Sequence, residues 1–221
     1  MPLQNRVTPL STIEAVSHRG LFMGNRGCLH DDRRRLVTTG WRSRAWLICA
    51  LKFRGRHRTV MASHHYTELF FLDEAVALSA GHRPCAECRR PAFQAFINAW
   101  ARTTGRLARA ANLDAALHAD RVARLRGTAH WQTTLGEVPP GAFFVFAGSD
   151  DTPWLRMESG AAAWSHAGYT EWRDWPLRAE VELLTPPATI QALKAGYRPI
   201  LHPSVETARR ASAVTVTTYR R

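Results

Sequence analysis

The sequence predicts an α+β fold: a basic N-terminal lobe of short strands and three helices over residues 1–130, then a mainly β C-terminal lobe with one helix over residues 131–221. Short apolar runs rich in β-formers are followed by amphipathic helical stretches before residue 130, whereas strand-like runs broken by Pro and Gly dominate after Trp131. The charge changes at the same place. Residues 1–130 hold 21 basic and 9 acidic side chains, residues 131–221 hold 9 of each, and the net charge of +12 therefore belongs to the first segment. A chain of 221 residues with 45% hydrophobic content can bury a real core, which excludes disorder and a coiled coil as descriptions of the whole.

The elements follow in order. Gly24-Asn25-Arg26-Gly27 lies between Leu21-Phe22-Met23 and Cys28-Leu29-His30 and predicts a hairpin turn, because Gly and Asn tolerate positive φ. Trp46 to Phe53 reads as a buried strand that Arg58 to Met61 can pair with across Gly55, and Glu68 to Phe71 as another strand. Asp73 caps a short helix that runs through Ala80 and stops at Gly81. Pro91 opens a second helix, with Phe93, Phe96, Ile97 and Trp100 at i, i+3, i+4 and i+7 as its core stripe and Gly105 at its end. Asn112 caps a third helix to about Leu125. Beyond Trp131, strand-like pieces at Ala142 to Phe146, Trp154 to Met157, Ala161 to Trp164 and Ala179 to Leu184, with an acidic turn at Gly148 to Asp151, precede a helix from Ala188 to Ala195. Ala80-Gly81-His82-Arg83-Pro84 is echoed by Ala195-Gly196-Tyr197-Arg198-Pro199, each after a short helix, so this turn can end a helix with no cysteine following it.

No apolar run reaches the ~20 residues of a membrane span, and Met1 to Leu21 lacks the apolar centre of a signal peptide. Four cysteines are too few for a disulfide scaffold. A cytoplasmic setting without membrane attachment is the expectation. Of the four, Cys85 and Cys88 have the Cys-x-x-Cys spacing of half a metal site or a redox pair. A closed structural zinc site needs four ligands, and a catalytic one three plus an open position. Cys49, His57, His64 and His65 are the candidates to complete it, with Cys28 and His30 in reserve.

The order Phe70-Phe71, Glu74-Ala75, Ala80-Gly81-His82-Arg83-Pro84-Cys85-Ala86-Glu87-Cys88-Arg89 resembles the second half of the metal-binding domain of Ada, the bacterial methylphosphotriester-repair family, over residues 69–90. The resemblance implies zinc on Cys85 and Cys88 and a role in DNA repair or processing. The two upstream cysteines of that family, one of which accepts the methyl group, have no counterpart between Arg54 and Thr67, where His57, His64 and His65 stand instead. Methyl acceptance is therefore not implied.

The basic excess suits a nucleic-acid partner, most simply DNA, held through phosphates. Arg83, Arg89 and Arg90 flank the cysteine pair, while Arg26, Arg54, Arg56 and Arg58 are interleaved with Trp41, Trp46, Phe53 and Tyr66 on which bases can stack. Asp114, His118 and Arg121 fall along one side of the third helix and form a possible acid/base and phosphate-clamp row, and His30 beside Asp31-Asp32 is a second candidate base. The expected function is a zinc-containing nucleic-acid-binding protein. A metal- or His-dependent phosphodiester hydrolase using His30, His118 and Arg121, or a module that binds an acidic protein, are the alternatives. No Walker loop, dinucleotide fingerprint or nucleophile elbow is present.

Overall fold

The computed structural model describes every residue except 57–58, 129, 147–151 and 219–221, and the side chains through residue 213. Two six-stranded sheets and five helices make the α+β fold. The first sheet contains β1 (Arg6–Val7), β2 (Ile13–Glu14), β3 (Phe22–Asn25), β4 (Leu47–Ala50), β5 (Leu69–Phe71) and β6 (Arg83–Pro84), in the order β2-β1-β5-β3-β4-β6. It is mixed: β1 runs parallel to β5 and β4 parallel to β6, and the other neighbours are antiparallel.

The expected hairpin at Gly24 to Gly27 does not form. Gly24 lies inside β3, opposite Ile48 on one side and Leu69 on the other. A Cβ there would sit 1.9 Å from the Leu47 carbonyl oxygen, so this glycine serves a close backbone approach within the sheet rather than a turn. Thr59 to Met61 likewise forms no strand, and Arg58 lies outside the described residues.

Three helices belong to the first half, as expected. In α1 (Glu74–Ser79), the Asp73 carboxylate accepts the Val76 amide at 3.0 Å, and Gly81 at φ 83° turns the chain away. Helix α2 (Arg90–Thr104) buries Phe96, Ile97 and Trp100 and ends at Gly105 with φ 66°. Helix α3 (Ala110–Leu125) begins before the expected cap: Asn112 lies within its first turn and donates to the Leu107 carbonyl.

The second sheet is wholly antiparallel. Its strands β7 (Gln132–Thr134), β8 (Phe143–Phe146), β9 (Trp154–Arg156), β10 (Ala161–Ser165), β11 (Gly168–Arg173) and β12 (Glu180–Leu183) are ordered β11-β10-β9-β8-β12-β7. The expected acidic turn at Gly148 to Asp151 lies outside the described residues. Two helices follow rather than one, α4 (Pro187–Lys194) and α5 (Ser204–Thr218). The second escapes a periodicity reading because its large apolar residues are sparse; it packs on β11 with Val205 and Ala208 buried.

One continuous cluster of buried side chains draws on both sheets and all five helices. Its polar centre is the Asp73-Glu74 pair, both fully buried. Asp73 accepts from the Tyr169 hydroxyl at 2.8 Å and the His202 amide at 3.0 Å. Glu74 accepts from the Tyr197 hydroxyl at 2.6 Å and the Ile200 amide at 2.9 Å, and pairs with Arg89 at 2.8 Å. The echoed turns share a conformation: Gly81 and Gly196 both have positive φ, and the amides of His82 and Tyr197 reach back to the carbonyls of Ala77 and Ala192. Among the described residues, no helix is long and apolar enough to cross a membrane.

Removing one partner of a buried ion pair leaves an uncompensated charge, at a cost of about 3–5 kcal/mol. Glu74→Ala is therefore expected to destabilise the protein on that scale, lowering the urea midpoint. An unchanged midpoint would show that the pair does not hold the two halves together.

Candidate metal centre

Strand pairing places the first two sulfurs. Parallel β4 and β6 match Leu47 with Arg83 and Ile48 with Pro84, and the Cys85 amide donates to the Ile48 carbonyl at 2.9 Å. Cys49 and Cys85 follow these matched residues and stand side by side on adjacent strands, whose spacing is about 4.8 Å. After Cys85 the chain turns at once into α2, with the Arg89 amide on the Cys85 carbonyl, and this brings Cys88 back to the same point. The three sulfurs all lie within 4.8 Å of one another. With zinc–sulfur bonds near 2.3 Å, sulfurs of a tetrahedral site stand about 3.8 Å apart, so the cluster could hold a metal ion with little movement.

The surroundings favour thiolates. The Ala50 amide points at the Cys88 sulfur and the Glu87 amide at the Cys85 sulfur, each at 3.4 Å. Hydrogen bonding from the Cys49 thiol, with help from these amides, lowers the pKa of Cys85 and of Cys88 against the opposing effect of burial. Donation to the other two sulfurs, reinforced by burial, raises that of Cys49. A metal held by Cys49, Cys85 and Cys88 would take the place of these shared protons, since its ligands must be deprotonated.

The cluster opens onto a cavity of about 310 Å³. Its walls include Met23, Leu47, Phe53, Tyr66 and Phe70, with Asn25, Arg56, Glu68 and Glu87 as polar groups. Glu68 is only 4% exposed; one carboxylate oxygen accepts the Met61 amide at 2.7 Å and the other, Oε1, has no hydrogen-bond partner. Sequence reasoning passed over this residue, although a carboxylate heading the apolar run Leu69-Phe70-Phe71 was a visible signal.

The other predicted ligands are placed elsewhere. His64 and His65 are exposed, His64 with φ 64°, and neither belongs to the cluster; nor do Cys28 and His30. His57 lies outside the described residues.

Three of the predicted phosphate-binding arginines are buried and committed to the fold. Arg83 makes a two-point contact with Asp114 at 2.8 and 2.9 Å, and Arg89 pairs with Glu74 over the Phe22 ring. Arg26, 1% exposed, lies 3.9 Å from the Trp46 ring centre and donates to His82 and Ser11, and burial lowers its pKa to about 9. Arg54, Arg56 and Arg90 are exposed, and Arg58 lies outside the described residues.

The predicted catalytic row does not assemble. Arg121 is buried and donates to the carbonyls of Gly81 and Arg44, both at 2.7 Å. Asp114 faces Arg83 rather than His118. His118 packs edge-on against Trp41, and burial, aided by Arg121 and Arg44, lowers its pKa. His30 is buried between the Thr67 hydroxyl at 2.6 Å and the Ala62 carbonyl at 3.2 Å. These side chains hold loops and helix ends in place.

No family model, curated protein or solved structure matches the chain.

If the three cysteines act as one site, Cys49→Ser should reduce metal content as severely as Cys85→Ser, despite its distance in sequence, while Cys28→Ser leaves it unchanged. Metal analysis of freshly purified protein, with the thiolate-to-metal absorption of the cobalt form as a second readout, checks this.

Proposed function

We propose that the chain is a zinc-thiolate protein that binds nucleic acid, in a reducing, cytoplasmic setting, as part of DNA repair or processing. The observation that carries this reading is the convergence of Cys49, Cys85 and Cys88 beside an exposed basic loop. Soft thiolate donors in this number and spacing suit zinc. The resemblance of residues 69–90 to the Ada metal-binding module adds support, and Cys49 supplies a sulfur from an upstream strand.

The loop leaves β4 directly after the first ligand. Lys52, Arg54 and Arg56 are exposed on it, and both arginines lie near the Phe53 ring, at 5.0 and 5.4 Å from its centre. Arg56 also reaches Glu87, between the two ligands of the pair, at 2.8 Å. A metal on the three sulfurs would thus anchor both the loop and the turn preceding α2, where exposed Arg90 stands. This face replaces the one expected around Arg83 and Arg89. Burial withdraws four arginines and three carboxylates from residues 1–130 and leaves the surface excess there nearly intact. The hydrolase alternative is less favoured, because His30 and Arg121 are engaged in hydrogen bonds within the fold.

DNA affinity should fall steeply with salt, since each neutralised phosphate releases counterions. Replacing Arg54, Arg56 and Arg90 together with Ala should weaken binding and flatten the salt slope, with metal content unchanged, whereas Arg210→Ala in α5 should have no effect. Absence of binding to any nucleic acid at low salt would overturn the reading; fluorescence anisotropy across a salt series measures it.

A further inference from the structure

The cavity beside the cysteines has a definite chemical layout. On one face of the first sheet, Cys49, Met23 and Phe70 form a row, because Met23 pairs with Cys49 on one side and Phe70 on the other. The next same-face row holds Leu47 and Asn25, and Glu68 continues it beyond the end of β5. Glu68 therefore shares the face with Cys49 across two strand spacings and one two-residue step, roughly 12 Å between Cα atoms. That separation is too long for Glu68 to join the sulfurs on one ion. It leaves room for a flat molecule between them.

Three properties define what would fit. The side walls are aromatic or apolar at Phe53, Tyr66, Phe70 and Met23, surfaces on which a flat ring stacks. Among the lining residues is Glu68, 96% removed from solvent, whose buried Oε1 has no hydrogen-bond partner. The lining also holds Arg56, paired with Glu87 at 2.8 Å, and Arg54 stands close to Phe53. An unpartnered carboxylate oxygen among aromatic walls, with two exposed guanidinium groups nearby, matches a nucleotide, with N–H groups on its ring and negative charge on its phosphate.

We propose that this cavity receives a single extruded nucleobase carrying an exocyclic amino group, with the amino group donating to Glu68 and the flanking phosphates held by Arg54 and Arg56. Adenine and cytosine offer an amino N–H beside a ring acceptor, and guanine an amino N–H beside a ring N–H. Thymine flanks its one N–H with two carbonyl oxygens, which a carboxylate repels. The proposal rests on the nucleic-acid reading above and assigns its specificity to one carboxylate oxygen.

The test uses the zinc-loaded full chain and duplexes containing one unpaired adenine, cytosine or thymine, or an abasic site at the same position. The wild type should bind unpaired adenine or cytosine about tenfold more tightly than thymine or the abasic site, the scale of one satisfied buried hydrogen bond. Glu68→Gln can still accept the Met61 amide through its carbonyl while presenting to the cavity an N–H that adenine, cytosine and thymine can all accept, so the preference over thymine should be lost, with circular dichroism and zinc content unchanged. Equal affinity of the wild type for all four duplexes, together with a steep salt dependence, overturns the base receptor and leaves nucleic-acid binding standing. Failure to bind any duplex at low salt overturns both. The wild-type comparison decides the matter even if the variant does not fold.

Discussion

Two adjacent carboxylates, Asp73 and Glu74, hold this molecule together. Burying them is costly, and the cost is offset only because nearly every lone pair has a partner: the Val76, His202 and Ile200 amides, two tyrosine hydroxyls and the Arg89 guanidinium. Burial raises the Asp73 pKa while its hydrogen bonds oppose the shift, and the neighbouring carboxylates raise those of Tyr169 and Tyr197 in addition to burial. The consequences spread to the cysteine cluster. Arg89 is the residue from which α2 starts, and its amide closes the turn that carries Cys85 and Cys88. The pair thus fixes where α2 begins and, through it, where two of the three sulfurs stand.

The regular elements were legible because they follow from local chemistry. Asp73 as cap, Gly81 and Gly105 as stops and the Phe96-Ile97-Trp100 stripe each require only near neighbours to act. The very short strands β1, β2 and β7 were not legible, since two or three residues show no period and their pairing is decided by partners far along the chain. Gly24 misled for a related reason: a glycine between apolar residues signals a turn or a close backbone approach equally well, and only the position of Leu47 decides between them.

The site was half visible. The Cys-x-x-Cys spacing located two members of the cysteine cluster, and Cys49 was among the candidates for a third, but its adjacency depends on the parallel register of β4 against β6. The arginines show the opposite failure. Charge counting treats every guanidinium as surface, yet a flat, weakly hydrated guanidinium packs well on aromatic rings and donates to several carbonyls at once. Arg26 and Arg121 both lie against Trp46, at 3.9 and 4.3 Å from its ring centre, and belong to the core. Composition could indicate a basic surface without identifying which arginines supply it.

Four partners of Asp73 and Glu74, the Tyr169 and Tyr197 hydroxyls and the Ile200 and His202 amides, lie 96 to 129 residues further along the chain. At synthesis rates of about 5–20 residues per second, those groups are made roughly 5–25 s after the carboxylates. Throughout that interval the first sheet carries two acids meant for a dry interior and still in contact with water. Closure of the core therefore comes late in biogenesis, through contacts of high sequence separation that slow folding. The clustered cysteines, by contrast, span only residues 49 to 88 and are complete while the second sheet is still being made. A metal captured at that stage would tie β4 to the turn before α2 ahead of the second sheet.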